Sequence, residues 1–312
     1  MKGRKVVVTG GAGFIGSNLV WKLCTENDVT VVDDLSTGSL QNIRELIDGK
    51  KVNFIKQSIT EVYRLKKVFD GADYVLHQAA LPSVSRSIRD PLAVDEVNTK
   101  GTLSVLVAAR DSGVKKVVFA SSSSVYGNTP TLPKHEDMKT QPMSPYALTK
   151  LAGEHYCRIF TEAYGLKTVS LRYFNVYGPR QNPYSEYAAV IPRFIMCALN
   201  GEPMPIHGDG RQTRDFTFVE DVVRANILAA ESSATGAYNI GGGRRISIMD
   251  LALKIAEAAG AKTKIVHMPP RPGDVRDSLA DIARAKEHLA YSPSYTLEDG
   301  LRITLDWFKS NR

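Results

Sequence analysis

The chain has 312 residues, 43% apolar and 23% charged, with 40 basic residues against 33 acidic and a formal charge of +7. That size and balance suit one large α/β domain or a domain with a lobe, and they exclude a disordered or fibrous chain. The basic excess is spread along the sequence, so it reads as a solvated surface and not as a nucleic-acid patch, and no apolar run approaches membrane-spanning length.

The N-terminus, MKGRKVVVTGG, runs straight into a strand and lacks the apolar core of a signal peptide. Cys24, Cys157 and Cys197 are scattered and odd in number, which suits a reducing compartment. A cytoplasmic protein is therefore expected. The six histidines include no H-x-x-x-H pair, so no metal is expected.

In chain order, β-branched apolar runs fall at 5–9, 29–33, 52–55, 74–77, 117–121 and 168–172, with helical patterns between them, such as 15–25 and 99–112. Strands that alternate with helices imply a doubly wound parallel sheet, and nearly all-apolar strands imply burial on both faces. After about residue 173 the rhythm gives way to loops rich in Gly, Pro and Asn, with helices expected at 219–230, 247–259 and 281–288. The fold expected is α/β, with residues 1–173 as a Rossmann domain and 174–312 mainly as a smaller lobe. That lobe lies against the carboxyl ends of the strands, with some segments returning to the main sheet.

The first strand runs into "VVVTGGAGFIGSNLV". Gly10, Gly13 and Gly16 follow the spacing G-x-x-G-x-x-G. The first allows a tight turn, the second lets a pyrophosphate approach the backbone, and the third lets helix and strand lie close. The helix N-terminus then presents free N–H groups and the positive end of its dipole to phosphate. Asp33 ends the second strand, where a carboxylate accepts the ribose hydroxyls of NAD and repels the 2′-phosphate of NADP. Asp34 is its neighbour and competitor.

"SPYALTK" opens a helix, with Ser144 and Pro145 as start signals. Tyr146 and Lys150 are four residues apart and share a face, about 5–6 Å from each other. A free phenol has a pKa of about 10 and is a poor base, but a nearby ammonium and a cationic nicotinamide ring favour the phenolate. The serine run of "VVFASSSSVYG" follows a buried strand at the carboxyl edge of the sheet, within reach of the same chemistry.

These segments, with "HQAA", "RYFNVYGPRQ", "RDFTFVEDV" and "RPGDVRDSLAD", resemble the extended short-chain dehydrogenase/reductases over nearly the whole chain. Within that group the chain is most similar to UDP-hexose 4-epimerases, especially those acting on N-acetylglucosamine. The resemblance implies catalytic roles for Ser122, Tyr146 and Lys150. Ser122 is chosen because it lies four residues before Tyr126, with Ser121, Ser123 and Ser124 as alternatives. It implies an NAD site made of Gly10, Gly13, Phe14, Ile15, Gly16, Asp33, Ser58, Ile59, Gln78, Ala79, Ala80, Asn98 and Tyr173, together with Tyr146 and Lys150. Ser58 departs from the group, which commonly has an Asp there for the adenine amino group. For a UDP-sugar it implies contacts from Ser83, Ser122, Tyr146, Asn175, the backbone at Ala189 and Val190, Arg214, Arg271, Asp274 and Ser278. His77 is expected to be a packing residue at a strand end.

Dehydratases of the group carry Asp-Glu after the catalytic hydroxyl, and decarboxylases a Glu before V-Y-G. Here those positions are Ser123 and Ser124, so oxidation followed by reversal is the reaction implied. Ser278 occupies the position where a bulky tyrosine restricts the group to UDP-glucose and UDP-galactose. A small residue leaves room for an N-acetyl group without excluding the smaller sugars. A UDP-glucuronate 4-epimerase and a non-catalytic NAD-binding regulator are the rival readings. A homodimer joined by helices at 92–112 and 145–164 is expected, with no nucleic-acid or membrane partner.

Overall fold

The computed structural model describes residues 1–184, 189–262, 264–269 and 275–311. Seven strands form one parallel sheet in the order Gly236–Ile240, Lys167–Tyr173, Lys116–Ser122, Tyr74–His77, Lys5–Thr9, Asp28–Asp33 and Asn53–Lys56. The six early strands are those the apolar runs indicate, to within a residue at most ends. The seventh is contributed by the later part of the chain and pairs in register with the sixth, Tyr238 opposite Leu171.

The interior of the sheet is fully buried: Val6, Val8, Val75, Val117 and Val169 are all at or below 1% exposure. Side chains on alternate faces enter two separate apolar clusters, one holding Val6, Val8 and Leu76, the other Val7, Val75 and Val117. This is the two-sided burial of a doubly wound sheet. A third cluster joins Ile195, Ile206, Leu251 and Leu305, from the helices Val190–Asn200, Ile248–Ala259 and Leu297–Ser310 and the strand Met204–His207.

Strand order reverses between Lys5–Thr9 and Tyr74–His77, because the chain first winds outward on one side and then on the other. The crevice at the carboxyl ends of these two strands is where open α/β sheets bind ligands.

The expected helix at 92–112 is interrupted. It comprises Pro91–Asp95, a π-turn at Glu96–Lys100 and Gly101–Asp111. The bulge turns Asn98 inward, where its amide accepts from Leu81 N at 2.8 Å and donates to Leu81 O and Thr149 Oγ1. The helix Pro145–Tyr164 begins where expected: Ser144 Oγ accepts from Ala147 N at 3.2 Å, and Gly165 ends the helix at φ 73°.

No helix among the described residues is long and apolar enough to cross a membrane.

Candidate active site

A cavity of about 870 Å³ opens at the crevice. Its wall includes Gly10, Gly13, Phe14, Ile15, Gly16, Asp33, Ile59, Gln78, Ala79, Ala80, Ser83, Tyr146, Lys150, Tyr173 and Ala189, so most of the expected cofactor set is brought together.

The glycine turn is sterically closed to side chains. A Cβ on Gly10, which sits at φ +69°, would meet Ala79 N at 2.6 Å, and one on Gly16 would meet Gly10 O at 2.1 Å. Gly13 stands at the N-cap of helix Phe14–Leu23 with no side-chain cap, which leaves the helix N–H groups directed at the cavity. Asp33 is 7% exposed and accepts from Ala12 N at 2.9 Å and Leu35 N at 2.8 Å. Burial pushes its carboxyl up, against the pull of those two donors.

The catalytic candidates meet across the end of the fifth strand. Lys150 is 4% exposed and donates from Nζ to Ala120 O at 2.8 Å, with Nζ 5.0 Å from the centre of the Phe119 ring and 5.9 Å from that of Tyr146. Burial lowers its ammonium to about 8. Burial raises the Tyr146 phenol, and its hydrogen bond with Ser122 pulls it back down. The expected lowering of the phenol by Lys150 is not what the protein alone shows. Desolvation drives both groups toward their neutral forms, and Ser122 is the group that opposes this at the phenol.

The four serines now separate. Ser121 donates to the buried carboxylate of Glu154. Ser122 accepts from Ser124 N at 3.2 Å and Ser124 Oγ at 2.9 Å, and it lies near enough to the Tyr146 phenol to pull it down. Ser122 is thus the serine whose hydroxyl acts on the phenol, while Ser121 is the one in the cavity wall. His77 bridges Thr9 Oγ1 at 2.8 Å and Thr102 Oγ1 at 3.0 Å, and burial holds its imidazole down at about 3. It is a neutral packing residue, as expected.

The NAD dependent epimerase/dehydratase family matches residues 6–241, about three quarters of the chain. The chain belongs to this family. It is 40% identical to the UDP-glucose 4-epimerase of Mycolicibacterium smegmatis, over 98% of this chain and 99% of that one. It is 36% identical to the UDP-glucuronate 4-epimerase of Thermodesulfobacterium geofontis, over 98% of this chain and 96% of that one. Its fold superposes with a TM-score of 0.97, at 42% identity and over the whole of both chains, on a UDP-N-acetylglucosamine 4-epimerase from Methanobrevibacter ruminantium in complex with UDP-N-acetylmuramic acid.

NAD is the family's cofactor and the residues present fit it: a turn with no space for side chains, an uncapped helix end and a buried carboxylate at the end of the second strand. Two expected cofactor residues stand behind the wall. Asn98 is 2% exposed, with its amide committed to Leu81 and Thr149. Ser58 Oγ turns to Thr60 Oγ1 at 3.0 Å, and its neighbours Gln57 and Ile59 face the cavity instead. Along a strand or its extension side chains alternate sides, so the residues flanking Ser58 take the place expected of it.

Of the expected substrate residues of the later chain, Ala189 lines the cavity, whereas Asn175, Val190, Arg214 and Ser278 are not in its wall. Asn175, at φ 33°, donates from Nδ2 to Ser278 Oγ at 3.1 Å and to Asp215 O at 2.8 Å. Ser278 N donates to Thr213 O, and Arg214 donates from Nη1 to Arg276 O at 2.9 Å. Asp215 pins this cluster by accepting from Gly242 N, Gly243 N and Ala280 N, and burial pushes it up to about 6. Val190 starts helix Val190–Asn200, and Ala189 is its N-cap. Arg271 and Asp274 lie outside the described residues.

Sequence reasoning missed several wall residues: Ser36, Thr37, Gln57, Arg86 and Arg180. Ser36 and Thr37 follow the second strand and Gln57 the third, so the rule that ligands sit at strand carboxyl ends was signal enough for those three. Arg86 and Arg180 reach the cavity through tertiary packing. Arg180 stacks over Trp21 at 4.9 Å and donates to Asn18 Oδ1 at 3.0 Å.

Proposed function

We propose that the protein is a UDP-hexose 4-epimerase with tightly bound NAD, acting on UDP-GlcNAc/UDP-GalNAc and also on UDP-glucose/UDP-galactose. The observation that carries this is the Ser122–Tyr146–Lys150 arrangement with hydroxyls, and no carboxylate, at positions 123 and 124. Elimination and decarboxylation lack their acid and base there. Residues 1–173 hold NAD and the three catalytic side chains, and residues 174–312 mainly anchor the UDP-sugar.

In this mechanism Tyr146, as phenolate, takes the proton of the carbon 4 hydroxyl. Ser122, whose hydroxyl acts on the phenol, shares that proton. Lys150, held by Ala120 O beside the Tyr146 ring, keeps a cation near the phenolate. NAD, which the Gly10–Gly16 turn and Asp33 would hold, would supply a reversible hydride acceptor for carbon 4. Between the two transfers the 4-keto sugar turns over while its nucleotide stays anchored by Asn175, Ala189, Val190, Arg214, Arg271 and Asp274. Arginine forks suit diphosphate oxygens. Ser278 leaves room beside carbon 2, and its small hydroxyl is turned to Asn175.

Arg86, a cation in the cavity wall beside Ser83, favours UDP-glucuronate as a second reading, because a sugar carboxylate needs such a partner. Ser83 sits at φ 93° and caps the helix Val84–Arg89 by accepting from Arg86 N.

A homodimer is part of the proposal. Leu92, Leu148 and Ile88 are 82%, 57% and 60% exposed on neighbouring helices that pack together, a face suited to a second copy.

The test is to incubate purified protein, without added NAD, with UDP-GlcNAc, UDP-glucose and UDP-glucuronate separately, and to follow the epimer ratio by proton NMR. Conversion of UDP-GlcNAc and UDP-glucose is expected. Conversion of UDP-glucuronate alone transfers the reading to that sugar, and no conversion of any, even with NAD supplied, removes it.

A further inference from the structure

One buried ion pair touches both halves of the catalytic arrangement without entering the cavity. Glu154 accepts from Arg172 Nε at 2.9 Å and from Nη2 at 2.7 Å, a two-point pairing at 8% and 5% residue exposure. Glu154 lies eight residues after Tyr146 and four after Lys150 on helix Pro145–Tyr164, so the three form one stripe along its face. Each rung of the stripe meets the end of the fifth strand. Lys150 donates to Ala120 O, Glu154 accepts from Ser121 Oγ, and Tyr146 stands near Ser122, whose hydroxyl lowers the phenol.

The other member of the pair holds the far end of the serine turn. Arg172 donates from Nη1 to Tyr126 OH at 2.8 Å, and Tyr126 in turn donates to Asn239 Oδ1 at 2.7 Å. Ser122 thus stands in a segment tied on one side through Ser121 to Glu154 and on the other through Tyr126 to Arg172. Gly153 allows the close approach this needs, since a Cβ there would come within 2.4 Å of the Phe119 ring.

We propose that the Glu154–Arg172 pair is a positioning element that sets the axial register between the helix bearing Tyr146 and Lys150 and the turn bearing Ser122. It acts through Ser121 and Tyr126 and does not touch the reacting atoms. The proposal rests on the function proposed above. Loss of the register moves Ser122 away from Tyr146 and weakens the influence that opposes the rise of the phenol. The charged and titratable groups that share the cavity with Tyr146 are, among the described residues, Lys150 on its own helix, Tyr173 on the sixth strand, Arg86 on Val84–Arg89, Tyr184, and Asp33, Asp34 and Arg180 toward the first helix. His77 behind the wall is neutral.

The experiment compares Ser121→Ala, Glu154→Gln and Glu154→Asp with wild type, reading kcat, KM, bound NAD and the pH profile of kcat. Wild-type turnover of a UDP-sugar comes first, and its absence removes both this proposal and the function beneath it. With wild type active, Ser121→Ala is expected to lower kcat about tenfold, because small misplacement of a reacting group is costly. Its KM and NAD content should be unchanged, and the acid limb of its profile should move to higher pH. Glu154→Asp keeps the charge but shortens the reach, and it should lose kcat as well. A purely electrostatic role predicts the opposite pattern. Glu154→Gln then leaves the Arg172 cation uncompensated and moves the acid limb to lower pH, while Glu154→Asp behaves as wild type. That pattern, unchanged kcat in Ser121→Ala, or a fall in kcat that only tracks loss of bound NAD, overturns the proposal. Should Glu154→Gln fail to fold, Ser121→Ala and Tyr126→Phe decide together: both cut a link from the ion pair, Ser121 lines the cavity and Tyr126 does not, so a kcat loss in Ser121→Ala with none in Tyr126→Phe overturns the proposal.

Discussion

Tyr146 and Lys150 are both desolvated, and desolvation moves a phenol up and an ammonium down. A working base therefore needs its hydrogen-bonding partner and a positive charge close by. Tyr146→Phe is expected to lower kcat more than about a hundredfold while bound NAD is retained, as for loss of a general base. Near-normal turnover by NMR contradicts the assignment. Ser278→Tyr should abolish turnover of the acetylated sugars and spare UDP-glucose, whereas equal loss on both pairs speaks against a size-selecting role. His77 gives a separate, pH-dependent prediction. Its folded pKa of about 3 lies below that of a free imidazole, about 6.5, so the unfolded chain takes up the proton first. This contribution to stability is complete above about pH 6.5 and is lost as the pH falls toward about 3, with about 2 kcal/mol going between about pH 7 and about pH 5. Urea unfolding should show a shallower acid slope in His77→Gln than in wild type, and an identical slope argues against the neutral, buried imidazole.

Among the elements, the first strand, glycine turn and helix form a unit with almost no tolerance. A methyl at Gly16 would stand 2.1 Å from Gly10 O, a backbone atom that cannot swing away. Gly16→Ala should therefore lose bound NAD, measured by its release on denaturation, and lose about 1–3 kcal/mol of stability as an overpacked site does. Full NAD content in that variant speaks against the close approach. The helix Pro145–Tyr164 presents three polar side chains inward on one stripe while Ala147, Cys157 and Phe160 make its apolar contacts. Its buried ion pair is weak evidence of stabilisation, since a paired buried charge only roughly offsets its desolvation, but removing one partner costs about 3–5 kcal/mol.

For the whole molecule, Leu92, Leu148 and Ile88 lie exposed on adjacent helices, and covering such side chains contributes about 1.5–3 kcal/mol each. Light scattering should give twice the 34.2 kDa chain mass for wild type, and a shift toward monomer for Leu148→Glu. A monomeric wild type removes the dimer from the proposal. The +7 charge takes no part in this, because it is spread over the surface and leaves the apolar face intact.

The doubly wound sheet, the glycine turn, Asp33 and the Tyr146–Lys150 pair were all legible in the sequence. Each depends on local spacing: period in strands and helices, glycine at fixed intervals, four residues along one helix face. What needed the tertiary structure were relations between distant segments. Four consecutive serines look alike in sequence, and only packing of Glu154 and Tyr146 against the strand end gave Ser121 and Ser122 different partners. The contacts of Asn98 with Leu81 and Thr149 behind the cavity wall and the strand Gly236–Ile240 that completes the sheet likewise arise from long-range contacts. Local chemistry is written in residue spacing. Which of several equivalent side chains faces the site is decided by burial and hydrogen bonding across the fold, and these have no counterpart in spacing alone.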